Sequence, residues 1–180
     1  MAGGSPTVLT FELVVSDVDR GVYETLPLRV AQHPSESAEY LVSRVLAYAL
    51  EYTEGLAFTQ GLAAAEEPAL EIRDLTGARI GWIEIGTPSP ERLHRATKAA
   101  DRVAVYCHKD PTPWLRALGS AKVHAPERLH LYGLDRGFVT TLAGHVDRRN
   151  AWSVSRTEGE LYVEANGASL ATVLTPLSWS

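Results

Sequence analysis

Glu84 is the one carboxylate in the apolar run Ile80-Gly81-Trp82-Ile83-Glu84-Ile85. Such a run reads as a central strand covered on both faces, and a carboxylate buried there costs free energy unless a cation, a metal or a proton accompanies it. Two chemistries compete for it. It is a strand-end glutamate that reaches solvent or salt-bridges to a helix, or it is one ligand of an acidic site. Glu71 makes the second reading concrete. With a turn at Thr76-Gly77 and Asp74 facing Arg79, Arg73 pairs with Ile80, Glu71 with Trp82 and Ala69 with Glu84. Opposed residues share a sheet face, as do residues two apart on one strand, so Glu71 and Glu84 become diagonal neighbours ~7 Å apart and able to converge on one ion. Asp74 falls at the hairpin tip, ~16 Å along the strand from Glu84 and on the other face. A slip of one residue would exchange the faces.

These acids need elements to hold them. Two strands, the turn, a helix and a third strand at Val103 to Cys107 make a compact α/β unit. Ser89 with Pro90 at the first helical position starts that helix, which runs through Ala100. Upstream, Ser35 is a natural N-cap, Glu36 falls in the first turn, and Leu41, Val42, Val45, Leu46 and Ala49 form one apolar stripe. Glu39 lies on the edge of that stripe and Glu36 is rotated toward the polar side, so Glu39 is the acid aimed at the sheet.

The rest of the chain supplies the frame. Thr7 to Ser16 alternates as a strand, Asp17 to Gly21 is a turn, and Tyr23 to Ala31 returns, with Pro27 marking an edge. Gly55 to Ala65 reads as a small-residue connection. Further on, Trp114 to Gly119 gives a turn or two of helix, Leu129 to Tyr132 a strand, and Phe138 to Val146 an amphipathic helix. Trp152 to Ser155 and Glu160 to Glu164, joined at Glu158-Gly159, form a terminal hairpin. The pattern predicts a single α/β domain over residues 1–180, a mixed sheet flanked by helices, with the Ser35–Leu50 helix packed on the sheet that carries Glu71 and Glu84.

Composition narrows the function classes. At 180 residues the chain has ample length for a core. No apolar stretch is long enough to span a bilayer and no signal sequence is visible, so a cytoplasmic protein without a membrane partner is expected. The single cysteine, Cys107, excludes an intrachain disulfide and any multi-cysteine zinc site. The net charge of −5 hides an asymmetry: residues 1–90 carry 5 Lys/Arg against 13 Asp/Glu, and residues 91–149 carry 11 against 6. An acidic half beside a basic half suits a metal–carboxylate site facing a phosphate-binding surface, or simply segregated solvated faces. The overall acidity argues against tight non-specific binding to long DNA. No phosphate-binding Gly-rich loop, dinucleotide fingerprint or nucleophile elbow is present, and no two histidines stand at zinc-ligand spacing.

The chain resembles the YaeQ family of bacterial proteins. The match is carried by Leu28-Arg29-Val30-Ala31-Gln32-His33-Pro34-Ser35-Glu36, Leu56-Ala57-Phe58-Thr59-Gln60-Gly61-Leu62, Glu67-Pro68, Asp74-Leu75-Thr76-Gly77 and Trp82-Ile83-Glu84-Ile85-Gly86-Thr87-Pro88. The resemblance implies a core similar to the PD-(D/E)XK nucleases with extra terminal strands, and it leaves the activity open. Carried over by residue, the helix acid falls on Glu39 or Glu36 and the second acid on Glu84. The Pro-Asp step falls on Pro68-Ala69, so the aspartate is missing, and Gly86 stands where a lysine is expected. Glu71 or Asp74 would then replace the lost acid, and Arg95 or Lys98 would reach in from the next helix, the arginine for charge stabilisation alone. A working site would hold Mg²⁺ on Glu39, Glu71 and Glu84 for phosphodiester hydrolysis. Its clustered carboxylates would show a raised pKa without metal. The alternative is a non-catalytic module that binds a protein or a nucleic acid.

Overall fold

Alternation builds the first hairpin. Leu9, Phe11, Leu13 and Val15 are buried on one side of β1 (Thr7–Asp17), which pairs antiparallel with β2 (Val22–Gln32) from Thr7–Gln32 to Asp17–Val22. Helix α1 (Ala38–Glu51) follows and packs on β1. Its N-cap is Ser37, whose hydroxyl accepts the Tyr40 N–H at 3.0 Å. Ser35 is drawn instead into a turn in which its N–H donates to His33 Nδ1 at 3.1 Å. The helix therefore starts two residues beyond the expected cap, which exchanges the roles of Glu36 and Glu39.

The structure, a computed structural model, describes residues 4–60 and 65–179. Gly61 and Leu62 of the motif quoted above, and with them residues 61–64 of the Gly55–Ala65 connection, lie outside the described residues. Within that connection stands a short strand, β3 (Leu56–Phe58), which the sequence reading misses. Then come β4 (Leu70–Arg73), β5 (Arg79–Ile85), α2 (Pro90–Ala99), β6 (Arg102–Cys107), α3 (Thr112–Gly119) and β7 (Leu129–Gly133). Ser89 caps α2 with Pro90 in its first turn, as expected. Helix α4 (Arg136–Ala143), β8 (Arg149–Thr157), β9 (Glu160–Ala165), β10 (Ala168–Val173) and β11 (Thr175–Leu177) complete the chain.

The strands form two sheets. One has the order β10-β9-β8-β1-β2, the other β11-β7-β6-β5-β4-β3. The chain accordingly divides into two compact units, Met1–Tyr52 with Gly137–Leu174 and Thr53–Arg136 with Thr175–Ser180. The expected mixed α/β class holds, with two mixed sheets rather than one. Helix α1 belongs to the unit of the five-stranded sheet and packs on β1 and β8, where the sequence reading sets it on the Glu71–Glu84 sheet. Strand β2 ends its sheet, which is where a strand carrying Pro27 can lie without losing a ladder bond.

In the second unit β5, β6 and β7 run parallel, with Trp82 beside Val103 and Glu84 beside Val105. Parallel neighbours need crossovers, and α2 and α3 supply them. Trp82, Val103, Val105, Leu129 and Leu131 form the core of this unit with Leu93 and Ala96 of α2 and Trp114 and Leu118 of α3. Glu84 shares that helix-covered face, two residues along from Trp82.

Candidate acidic site

The hairpin register places the acids. Strands β4 and β5 pair antiparallel with Glu71 opposite Trp82 and Leu70 opposite Ile83, as expected. Beyond Ile72 a bulge shifts the ladder by one, so Arg73 faces Arg79 rather than Ile80. Glu71 and Glu84 thus lie on one face. Asp74 stays in the turn, where its carboxylate accepts the Thr76 N–H at 2.9 Å, the Thr76 hydroxyl at 2.6 Å and the Ala78 N–H at 3.1 Å. The Thr76 hydroxyl bond, with the turn N–H groups, holds the Asp74 carboxyl below its ordinary range. Asp74 organises the hairpin tip.

Each sheet acid is occupied by arginine. Arg92, in the first turn of α2, donates from Nε to Glu84 Oε2 and from Nη2 to Glu84 Oε1 at 3.0 Å. The same guanidinium donates to the carbonyls of Ala65 at 2.6 Å and Glu67 at 2.7 Å. It ties the end of β5, the helix and the segment before β4 together. Glu71 accepts Arg79 Nε at 2.8 Å on Oε1 and Arg73 Nε at 3.1 Å on Oε2, and Arg79 continues to Glu67 at 2.6 Å. Trp82 lies between the two systems, with the guanidinium carbons of Arg79 and Arg92 at 5.3 and 5.8 Å from its ring centre. Its buried indole N–H has no hydrogen-bond partner among the described residues.

The electrostatics follow from those contacts. Burial alone would raise the Glu71 carboxyl, but the hydrogen bonds from Arg73 and Arg79 outweigh it and hold the pKa below the usual value. That is opposite to the raised pKa expected of carboxylates clustered for a metal. Arg95 and Lys98, the cations expected near Glu84, stand exposed on the outer side of α2. Sequence reasoning missed Arg92, although a signal was present: a cation in the first helical turn opposes the helix dipole and so calls for a carboxylate partner.

The helix acids behave differently from expectation as well. Glu36, assigned to the polar side, is buried and bidentate with the buried Arg44, at 2.8 Å on each oxygen. Glu39 is half-buried in the first turn of α1, where its carboxylate complements the helix dipole. Glu36 and Glu39 belong to the first unit, and Glu71, Asp74, Glu84, Arg95 and Lys98 to the second. Among the described residues no group of three His, Cys, Asp or Glu side chains is placed to hold a metal ion. The pairs at Glu84 and Glu71 do not fit Mg²⁺ either, since both oxygens of each carboxylate already accept arginine N–H groups. No helix among the described residues is long and apolar enough to cross a membrane.

Comparison with known proteins places this architecture. A family model described as YaeQ protein matches residues 1–174. The uncharacterized protein YaeQ of Salmonella typhi is 30% identical over 165 residues, covering 89% of this chain and 90% of its own. That of Escherichia coli strain K12 is 28% identical over 172 residues, 94% of each chain. Among solved structures, the YaeQ protein from Pseudomonas syringae superposes with a TM-score of 0.89 at 30% identity, covering 96% of each chain. The YaeQ protein from Xanthomonas axonopodis pv. citri gives 0.88 at 31% identity, covering 98% of this chain and 100% of the other.

Proposed function

We propose that this chain, which belongs to the YaeQ family, is a non-catalytic binding module in which the acids of a nuclease-like core have become structural. One observation carries the reading: Arg92 fills both oxygens of Glu84, the acid on which metal-dependent hydrolysis would turn. An arginine supplies positive charge but moves no proton and orients no water as a metal does. The alternative, a Mg²⁺-dependent phosphodiesterase using Glu39, Glu71 and Glu84, requires Arg92, Arg79 and Arg73 to leave their carboxylates first. Breaking a pair that is largely buried is costly. The groups that remain available to a partner lie outside this network. Arg95 and Lys98 project from α2 with no ion pair among the described residues, and exposed cations of this kind suit an anionic partner such as a nucleic acid.

Thermal melts of wild type and Glu84→Gln, with and without millimolar Mn²⁺ or Mg²⁺, test the reading. The expected result is that wild type ignores the metal and the variant melts well below it. A metal-dependent rise in wild-type Tm that Glu84→Gln removes would restore the hydrolytic reading.

A further inference from the structure

The outer stripe of α2 carries Glu91, His94, Arg95 and Lys98, at the three- and four-residue spacing that puts side chains on one helical face. Beside it runs the segment after α3, whose Ala121 and Lys122 complete a pocket of about 350 Å³ with Pro90, Glu91, His94 and Arg95. His94 is fixed there. Its Nδ1 accepts the His124 backbone N–H at 3.0 Å, so in the neutral ring the proton sits on Nε2, which is left as a donor. The His124 ring meets the His94 ring edge-on, with centroids 6.1 Å apart. Arg95 and Lys122 make no ion pair or hydrogen bond through their side chains among the described residues, and neither does Glu91. The pocket is therefore lined by one arginine, one lysine and one histidine against one glutamate, with Lys98 one turn farther along the helix.

We propose that this pocket binds the phosphate group of a phosphomonoester. Two cationic side chains and an imidazole N–H answer a dianion with several acceptor oxygens, and arginine is the side chain best matched to it by its forked donors. Glu91 weakens the field and favours a ligand whose remaining body carries N–H or O–H donors. The volume lies at the small end of ligand pockets, near ~300 Å³, which suits a compact ester better than a long chain lying flat. The inference deepens the binding reading given above. It stands apart from the loss of catalysis, because phosphate binding is measured here without metal.

The histidine ring resonances of the full chain at low salt provide the test. Inorganic phosphate, adenosine 5′-monophosphate and adenosine are titrated in turn. Phosphate and the monophosphate should shift the His94 and His124 rings saturably, and adenosine should not. The double variant Arg95→Ala/Lys122→Ala should weaken both by about tenfold or more, since each substitution removes a charge-assisted contact. Lys109→Ala/Arg116→Ala, two exposed cations outside the pocket, should leave affinity unchanged, and Glu91→Gln should tighten it. An oligonucleotide bound more tightly with a 5′-phosphate than without one identifies a strand end as the source. Equal binding of the two strands, with the monophosphate binding in the pocket, identifies a small molecule. The proposal is overturned if neither phosphate nor the monophosphate gives a saturable shift, or if the double variant binds as wild type does.

Discussion

Arg92 holds Glu84 by both oxygens, and the same guanidinium ties down the carbonyls of Ala65 and Glu67. Glu84 is 6% exposed at the end of a central strand, so its charge is paired at a place where water does little of the solvation. A helix-borne cation thus answers the question its sequence raises. The favourable energy of such a pair largely offsets desolvation, and its weight shows when one member is removed.

Glu84→Ala is expected to destabilise the protein by about 3 kcal/mol, the lower end for a broken buried pair because Arg92 keeps some exposure. Arg92→Ala should cost a similar amount, and Glu84→Leu/Arg92→Met should recover most of it. Urea denaturation of the four proteins measures this. A near-neutral Glu84→Ala would show that the carboxylate is under like-charge repulsion, as in a metal site.

The same reasoning applies to Glu36 and Arg44, each almost fully buried. Glu36→Gln is expected to cost about 3 kcal/mol, because Arg44 would keep its charge without a carboxylate. Glu39→Gln should change stability by less than about 1 kcal/mol, the usual size of a partly exposed dipole interaction. Equal losses at the two positions would contradict the burial seen here.

The hairpin of β4 and β5 was legible because a turn at Thr76-Gly77 and period-two geometry leave few registers, and Glu71 does face Trp82. The α2 boundary was legible from Ser89 and Pro90. Strands β3 and β11 span three residues each at opposite edges of one sheet, too short for alternation to register. The β9–β10 turn could have been read, since Asn166-Gly167 is the dipeptide of a two-residue hairpin, with φ of 52° and 91°. The partners of the acids were harder. The sequence points to Arg95 and Lys98, one and two turns farther along α2 than the arginine that pairs. Arg44, beside the apolar stripe of α1, is buried, and a buried guanidinium requires an acid, but the sequence pattern does not show that burial. The division into two units has no signal in the sequence, because no linker separates Tyr52 from Thr53, Arg136 from Gly137 or Leu174 from Thr175.

Two glycines with left-handed backbone should respond differently to alanine. At Gly167, with φ +91° and open space around an added Cβ, backbone strain alone should cost roughly 1 kcal/mol. At Gly55, with φ +93°, the Cβ would lie 2.0 Å from the Arg73 carbonyl oxygen. The Arg73 N–H donates to the Gly55 carbonyl at the same place, so β3 and β4 would have to separate. Gly55→Ala should cost about 3 kcal/mol, the upper range of overpacking, and chemical denaturation would distinguish the two sites.

Acid sensitivity should come substantially from Asp17 and Glu71. Burial alone would raise the carboxyl of Asp17, but hydrogen bonds from Arg156 at 3.0 Å and Arg20 at 2.7 Å hold it below its ordinary value, and Glu71 is lowered in the same way by Arg73 and Arg79. With the folded pKa below the unfolded one, the unfolded chain binds more protons between the two values, so stability rises with pH through that window. The contribution is fully present above the unfolded values of about 4 and is lost as pH falls through the folded ones. Asp17→Asn should therefore be less stable than wild type at pH 6, and the two should converge as pH falls from the unfolded value through the lower folded one. Urea midpoints at half-unit steps from pH 6 to pH 2.5 give the comparison. Parallel curves for the two proteins would mean that the Asp17 carboxylate titrates alike in the folded and unfolded chain, and that its two arginines do not set the acid limb.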